Sequence, residues 1–269
     1  MLRFTALRAG AVLGLAMPVA PSEPPERSAR PVRGRATFTF EHLPPDDPEL
    51  QETLRSWDWI ARSLLAGAAV SDETRVRLED DRRLTGEIAR VLAGDEEGEG
   101  DAAERTVTVA RHRGRIQAVV TWIPCRRSVF AELLATAPWN LLAPGDPPDA
   151  RAVRGSGPAL LACLSRLSRT TGRGGRVALQ AENPRARAVY ERLGYVVMRP
   201  SDAPLANVPH GKKGWSDSVV RLARGRPGVD ERQMPWMLLD PERSPAPAAR
   251  PRAGARSTAG AAAASGRRA

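Results

Sequence analysis

The stretch TVTVARHRGRIQAVVTW, residues 106–122, has the pattern of a β-hairpin. Its two arms, 106–111 and 116–122, are rich in β-branched residues, which favour strands. Gly114 lies in the short link between the arms and can adopt the positive φ of a tight turn. A further apolar run, SVFAELLAT at 128–136, predicts a third strand. The middle of the chain therefore predicts neighbouring strands of a sheet.

The residues before this hairpin predict one strand and two helices. TFTF at 37–40 alternates in the way of a first strand. Asp47-Pro48-Glu49 and Ser71-Asp72-Glu73 each place a capping side chain ahead of a helical pattern. The first helix repeats apolar residues at helical spacing through 50–65. The second has an apolar stripe made of Val76, Leu78, Leu84, Ile88, Val91 and Leu92.

The residues after the hairpin predict further helices and strands. A helix follows Gly155-Ser156-Gly157-Pro158, and a strand is predicted at 176–182. Asn183-Pro184 opens another helix, which Gly194 ends. YVVM and WSDSVVRLA, at 195–198 and 215–223, are interpreted as the last strands. The order of elements predicts an α/β (α+β) fold with a mixed sheet, in one domain at 37–223.

The net charge of +10 is concentrated at the two ends of the chain. Residues 1–36 hold six Arg and two Glu, and residues 241–269 hold six Arg and one Glu, so the part between them is close to neutral. A neutral body argues against a basic groove for nucleic acid. The Pro- and Arg-rich composition predicts a disordered or targeting-like extension at 1–36, and a disordered tail at 224–269. The apolar run at 9–20 is compatible with a weak signal peptide or with a start at Met17.

Cysteine and histidine usage argues against a secreted domain stapled by disulfides and against a zinc-finger protein. Cys125 and Cys163 are too few for a disulfide framework, and the three His residues lack the spacing of zinc ligands. No apolar run reaches the roughly 18 residues of a membrane-spanning helix. We therefore expect a cytoplasmic protein with no membrane partner and no metal.

One acidic run separates the second helix from the hairpin. Residues 95–104, DEEGEGDAAE, contain six acids and no base. Such a run is typical of a solvated loop. The alternative interpretation is that it attracts a cationic substrate, chiefly at low salt.

The glycine turn RGSGPA, residues 154–159, is a candidate phosphate site. It precedes an amphipathic helix, so unpaired backbone N–H groups and the positive end of the helix dipole converge there. The residues match neither a Walker loop nor the dinucleotide fingerprint nor a nucleophile elbow. The alternative is a plain strand-to-helix turn.

Three motifs occur in order on the expected elements: LATAP at 134–138, RGSGPALL at 154–161 and NPRARAVYERLGY at 183–195. In this order they resemble the GNAT superfamily, the acetyl-CoA-dependent N-acetyltransferases. Thr136 stands where the family often has Val, and fifteen residues separate the strand from the glycine loop, more than the family usually has. Pro158 also removes one backbone N–H from that loop. The resemblance covers about 105–200.

The resemblance implies acetyl-CoA as co-substrate and a division of the domain. Residues 37–104 become the acceptor side and 105–200 the acetyl-CoA-binding core. The pyrophosphate is expected at the glycine loop, and the pantetheine arm along the edge of the strand that LATAP ends. The expected acetyl-CoA-binding residues are Ala135, Thr136, Ala137, Arg154, Gly155, Ser156, Gly157, Ala159 and Asn183.

The resemblance also implies two catalytic residues. Tyr190 occupies the place of the tyrosine that protonates the leaving sulfur, and Glu132, on the strand leading to Thr136, is the candidate base. The alternatives are an aromatic residue packed under its helix and an outward-facing surface glutamate. Trp139 and Asn140 edge the thioester end of the cleft or cap the core. Cys163 lies on an apolar stripe and is interpreted as a buried thiol.

The implied activity is transfer of an acetyl group to a primary amine by direct attack in a ternary complex. The acceptor is expected to be a small molecule or a peptide, without nucleic acid, and the sequence allows a homodimer. The alternative function is a GNAT-fold module that binds CoA without catalysis.

Overall fold

The computed structural model describes residues 36–67, 69–94, 105–206, 213–226, 228 and 232–243. The strands are β1 (Thr39–Leu43), β2 (Thr106–His112), β3 (Arg115–Pro124), β4 (Val129–Thr136), β5 (Val177–Gln180), β6 (Val196–Val197) and β7 (Trp236–Leu239). The helices are α1 (Pro48–Ala66), α2 (Asp72–Ala93), α3 (Ser156–Thr170), α4 (Pro184–Arg192) and α5 (Lys213–Ala223), with short 3-10 helices at Pro138–Asn140 and Pro200–Ala206. None of the described helices is long and apolar enough to cross a membrane.

One mixed sheet organises these elements, in the order β1-β2-β3-β4-β5-β7-β6. Strands β1 to β4 are antiparallel neighbours, β4 and β5 are parallel, and β7 is antiparallel to both β5 and β6. The predicted hairpin is confirmed, with Gly114 at φ +78° in its turn. The predicted α/β fold with a mixed sheet is also confirmed.

The two central strands separate after a short parallel contact. Among the described residues, β4 and β5 pair at Val129 with Val177 and at Phe130 with Ala178, and β4 then continues to Thr136. A β-bulge lies just past this point, because Glu132 is the extra residue in the pairing of β3 with β4. Residues 131–136 of β4 therefore have β3 on one side and an opening on the other.

The sheet is covered on both faces. Leu133 and Ala135 of β4 face the cluster that α1 and α2 complete, and Ala131 faces the cluster that α3 completes. Residues of the 3-10 helix Pro200–Ala206, α5 and β7 form a third hydrophobic cluster with Phe130. The caps follow the sequence signals, since the Asp47 side chain accepts a 2.9 Å bond from Leu50 N at the start of α1.

Three predictions about these elements are wrong. Residues 213–223 form the helix α5 rather than a strand, with Val219 and Leu222 buried against the sheet. Trp236–Leu239 form β7 inside the sheet, although 224–269 was assigned to a disordered tail. All four residues of β7 are apolar and the first three, Trp236, Met237 and Leu238, are buried between β5 and β6, so the domain extends past 223. Val76 of the predicted α2 stripe is 54% exposed.

The rest of the predicted extensions, at 1–35 and 244–269, lie outside the described residues, as does the acidic run at 95–104.

Candidate functional site

The start of α3 presents backbone donors beside β4. Gly155 precedes the helix at φ +96°, a conformation that favours glycine. The N–H groups of Gly155, Ser156 and Gly157 belong to the first turn of α3, where the helix itself supplies no acceptor for them. A Cβ on Gly157 would lie 3.5 Å from the side chains of Leu134 and Thr136, so the helix start sits against the end of β4. These donors and the helix dipole can bind an anion.

Two members of the predicted phosphate loop have other roles in the structure. The N–H of Ala159 donates to the Gly155 carbonyl at 3.0 Å, so it belongs to the helix rather than to a ligand cradle. The exposed Arg154 side chain donates to the Leu142 carbonyl at 3.3 Å, and its charge stays at the rim of the helix start. Of the predicted phosphate-binding amides, those of Gly155, Ser156 and Gly157 therefore remain candidates.

Loop 141–153 is held in place by side chains on both sides. Asp146 accepts bonds from Ser71 N at 2.8 Å and Ala143 N at 2.7 Å, and from the Thr74 hydroxyl. These bonds lower the pKa of Asp146 to about 2, the bond from Thr74 contributing most. Asn140 accepts a 2.6 Å bond from Val153 N. The long insertion thus positions the residues that lead into α3.

Trp139 and Asn140 have mainly a structural role in this arrangement. Trp139 is buried, stacks edge-on with Trp57 at 6.4 Å and donates to the Gln117 side chain at 3.0 Å. Asn140 donates to the same Gln117 side chain at 3.0 Å. The core-capping alternative for Trp139 fits this geometry.

Only one residue of the predicted pantetheine edge faces the opening. The N–H of Ala137 donates to the Gln117 carbonyl of β3 at 3.0 Å, and Ala135 pairs with Val119 of β3. Peptide groups alternate in direction along a strand, so the Thr136 N–H points away from β3. The prediction for Ala135 and Ala137 is corrected accordingly, because their amides face β3.

The Thr136 N–H is bound by a carboxylate that the sequence analysis missed. It donates to Asp81 Oδ1 of α2 at 2.9 Å. Asp81 is buried, and burial raises the pKa of its carboxyl to about 7, against the lowering effect of the Thr136 bond. Asp80 raises this pKa further and Arg185 lowers it. Asp81 is therefore a carboxyl group that can exchange a proton near neutral pH.

The predicted base, Glu132, is paired with an arginine. Arg105 donates from Nε to Oε2 at 2.6 Å and from Nη2 to Oε1 at 2.9 Å, in a bidentate contact. Arg105 also donates to the Val91 carbonyl of α2 at 3.3 Å, and Thr121 donates to Glu132 Oε2 at 3.3 Å. Glu132 is buried rather than on the surface. Both of its oxygens accept hydrogen bonds within the fold, so Glu132 is a member of a buried ion pair in this structure.

Polar contacts join α2 to the segment between β5 and α4. Asn183 caps α4 by accepting a 2.8 Å bond from Ala186 N, and its amide donates to Asp80 at 3.1 Å. Arg185 contacts the same Asp80 at 3.2 Å, and Arg83 contacts Glu182 at 2.6 Å. We call these three cross-connections the α2–α4 bridge. Both ends of the Asn183 amide, a predicted acetyl-CoA contact, are therefore occupied, the nitrogen by Asp80 of the bridge and the oxygen by the start of α4.

The two tyrosines of the chain lie next to each other, with Tyr190 near Glu182 of this bridge. The Tyr190 and Tyr195 rings are 5.8 Å apart at 49°. Burial raises the pKa of Tyr190 to about 12, and the Glu182 carboxylate raises it further. The Tyr195 hydroxyl is buried and has no hydrogen-bond partner among the described residues. A raised pKa keeps the Tyr190 phenol protonated, as a proton donor must be.

The two cysteines have environments that do not favour a reactive thiolate. Cys163 is half-buried, and desolvation raises the pKa of its thiol above the ordinary value. Cys125 is buried, and its thiol pKa rises to about 11. No group of three or more His, Cys, Asp or Glu placed to hold a metal occurs in the part of the chain that the structure describes.

The structure thus brings together the start of α3, the Thr136 edge and α4, with Asp81 between them. Asp81 and Thr85 occupy core positions of α2 at the spacing of Leu78 and Ile88, and all four are at most 8% exposed. That spacing, with polar residues in buried positions, is the signal that could have identified them from the sequence.

A scan against protein-family models found no match, and a search of curated proteins found none. Among solved structures, the chain is similar to the paia N-acetyltransferase of Thermoplasma acidophilum in complex with coenzyme A, at 13% identity and TM-score 0.37, over 76% of this chain and 99% of that one. It is similar to the histone acetyltransferase HPA2 and related acetyltransferase of Corynebacterium glutamicum, at 18% identity and TM-score 0.37, over 76% and 96%.

A third similar structure is a GCN5-related N-acetyltransferase of Rhodopseudomonas palustris, at 16% identity and TM-score 0.35, over 64% of this chain and 88% of that one.

Proposed function

We propose that the chain is a GNAT-like N-acyltransferase that transfers an acetyl group from acetyl-CoA to a primary amine. One observation carries the proposal: the start of α3, whose first-turn N–H groups have no acceptor within the helix, lies against the open edge of β4, where β4 and β5 separate. Acetyl-CoA is an elongated molecule with a pyrophosphate and an amide-bearing arm. The helix start fits the first, and the strand edge fits the second.

In the proposed complex, the amides of Gly155, Ser156 and Gly157 hold the pyrophosphate, with Arg154 adding positive charge. The Thr136 N–H donates to the acyl-bearing arm in place of Asp81. Tyr190 donates a proton to the leaving thiolate, since its raised pKa keeps it protonated. The acceptor amine attacks the thioester carbonyl directly.

The first experiment separates binding from transfer. Acetyl-CoA is titrated into the full chain by calorimetry, and free-thiol release is then followed against a panel of primary amines. Binding together with release supports the enzyme. Absence of acetyl-CoA binding would contradict the proposal.

The phosphate assignment is tested by a matched pair of variants, Gly155→Asp and Gly155→Asn. Both variants must keep the backbone of residue 155 at φ +96°, and nothing lies within 4 Å of the added Cβ. The backbone strain and the room for the side chain are therefore the same in the two variants. Only Asp places a negative charge at the helix start. We expect acetyl-CoA binding at least tenfold weaker in Gly155→Asp than in Gly155→Asn. Equal affinities would place the pyrophosphate elsewhere.

The acid assignment has an equally close control in the neighbouring tyrosine. Tyr190→Phe keeps the ring but removes the donor, so turnover should fall by about 10²-fold while acetyl-CoA binding is retained. Tyr195→Phe removes a hydroxyl that has no partner in the described residues and should leave turnover unchanged. Normal turnover in Tyr190→Phe would make Tyr190 a packing residue.

The second candidate function is a CoA-binding module without catalysis. It is favoured by the carboxylates of α2, because Asp81 and Asp80 already occupy the Thr136 N–H and the Asn183 amide. Acetyl-CoA binding without thiol release for any amine would support this alternative. The acceptor, the cytoplasmic location and a homodimer stay predictions.

A further inference from the structure

The face of α2 that packs on the sheet is unusually polar at its centre. Leu78, Asp81, Thr85 and Ile88 follow one another at core spacing, and each is at most 8% exposed. A helix face packed on a sheet is ordinarily apolar, since a buried polar group without a partner destabilises the fold. Asp81 and Thr85 therefore need an explanation beyond packing.

Thr85 has a buried hydroxyl with nothing to bind in the described residues. Its Oγ1 is inaccessible and has no hydrogen-bond partner there. The residue lies one helical turn after Asp81 on the same face of α2, which packs on β4. An unsatisfied buried hydroxyl points to a group that completes it in the working protein.

Asp81 faces the open edge of β4, at the position where the proposed acyl group would lie. Its Oδ1 accepts the Thr136 N–H, which the acyl-bearing arm would take over. Once that bond is exchanged, the carboxylate is free beside the reacting carbonyl. The charged groups around it are Asp80 on its own helix and Arg185 on α4, with Arg83 and Glu182 in the adjoining α2–α4 bridge.

The α2–α4 bridge begins at Asp80, the residue before Asp81, and its contacts are partly exposed to solvent. The side chains of Arg83 and Arg185 are 57% and 41% exposed, so the contacts of the bridge are accessible to solvent and can be exchanged. The bridge contains the carboxylates of Asp80 and Glu182, which would attract an approaching ammonium group.

We infer that Asp81 and Thr85 bind the amino group of the acceptor, with Asp81 removing its proton before attack. The inference rests on the proposed function and deepens it by naming the acceptor's binding residues and its class, a primary amine that arrives as a cation. The Thr85 hydroxyl accepts a hydrogen bond from the amine and positions it. The base is thereby assigned to α2 rather than to Glu132.

The proton balance of this reaction is complete. The ammonium group gives one proton to the Asp81 carboxylate, and the freed nitrogen lone pair attacks the thioester carbonyl carbon. The carbon–sulfur bond breaks as the amide forms, and the leaving thiolate receives a proton from Tyr190. The attacking nitrogen loses its second proton, which restores Tyr190. Asp81 then releases its proton to solvent, so the net products are the amide, CoA thiol and one proton.

The first test uses Thr85→Val, with Thr74→Val as its control. Val has the same shape and removes only the hydroxyl, so Thr85→Val should fold at least as stably as the parent chain. We expect it to raise the KM for the amine about 3- to 10-fold without changing the KM for acetyl-CoA. Thr74 is equally buried on α2, but its hydroxyl contacts Asp146 and Ala143. Thr74→Val should therefore lower Tm and leave the amine KM unchanged.

The second test is the pH profile of Asp81→Asn. Asn can still accept the Thr136 N–H but cannot take a proton, so turnover should fall about 100-fold while acetyl-CoA affinity changes less than threefold. In the parent chain, kcat/KM for the amine should rise with pH until Asp81 is ionised, near pH 7, and level off above it. Asp81→Asn should lose that rise.

The outcomes separate the two hypotheses. If the parent chain releases no thiol with any amine, the proposed function fails, and this inference fails with it. If the parent chain is active but Asp81→Asn keeps both its turnover and its pH profile, only the assignment of Asp81 is overturned. An unchanged amine KM in a folded Thr85→Val would likewise remove Thr85 from the site.

Discussion

Helices α2 and α3 pack on opposite faces of β4, yet their buried faces differ in chemistry. The buried face of α3 presents Leu160, Leu161 and Leu164 at its centre, and its buried serines, Ser156 and Ser168, lie at the two ends and are hydrogen-bonded. The buried face of α2 presents Asp81 and Thr85 between its apolar residues. The apolar contact supports the sheet, while the polar contact lies along the open edge of β4. The difference is consistent with the proposal that α3 anchors the site and α2 supplies its reactive groups.

The polar side is further marked by the buried pair of Arg105 and Glu132. This pair lies between the bulge of β4 and the C-terminal half of α2, where Arg105 also reaches the Val91 carbonyl. A buried ion pair adds little stability over an apolar pair, but removing one partner is strongly destabilising. The α2 side of β4 should therefore respond to substitution differently from the α3 side.

The largest effect is expected from breaking this ion pair. Arg105→Met leaves the buried Glu132 carboxylate without its main counter-charge and should reduce the free energy of unfolding by about 3–5 kcal/mol. The control is Arg55→Met, whose contact with Glu52 joins side chains that are 68% and 70% exposed. That change should cost at most about 1 kcal/mol. Denaturant unfolding of both variants measures the contrast, and equal losses would contradict it.

On the apolar side, Leu164→Ala should be the matching test. Leu164 is fully buried between α3 and the sheet, so its truncation should cost about 2–5 kcal/mol. Leu167, on the same helix, is only partly buried, and Leu167→Ala should cost less. Thermal unfolding of the two variants, with acetyl-CoA absent, measures which substitution destabilises the chain more. A larger loss at Leu167 would show that the packing of α3 differs from the structure.

A smaller effect is expected from the stability of Asp81→Asn at different pH values. The native pKa of Asp81 is raised to about 7, so the native state keeps this proton after an unfolded chain has lost it. The parent chain therefore loses stability as pH rises toward 7, and Asn does not titrate. Between pH 5 and pH 8, Asp81→Asn should gain about 2–3 kcal/mol relative to the parent chain. A difference that does not vary with pH would contradict the raised pKa.

The smallest effect is expected at the α2–α4 bridge. Arg83→Gln removes the contact with Glu182, which joins side chains that are 57% and 27% exposed. The loss in unfolding free energy should be about 0.2–1 kcal/mol and should shrink at high salt, because exposed ion pairs are screened. Unfolding measured at low and high salt tests this. A loss that persists at high salt would show that the bridge is more deeply buried than its exposure indicates.

The sequence predicted local elements better than their ends and their burial. The hairpin, the two helices before it and the helix after the glycine loop are confirmed, because their patterns repeat over many residues. Residues 213–223 and β7 were missed for different reasons. Two apolar neighbours within 215–223 fit a strand or a helix equally, and the four residues of β7 are embedded in a composition typical of disorder.

For the candidate site, the sequence by itself predicted the glycine loop, the Thr136 edge and Tyr190, because each belongs to a motif with a local spacing. Only the tertiary structure decided which groups face the opening. It turned the amides of Ala135 and Ala137 toward β3, paired Glu132 with Arg105, and brought Asp81 from α2 to Thr136, 55 residues further along the chain. Hydrogen-bond direction and burial depend on how distant segments pack together, and local patterns of residues do not contain that information.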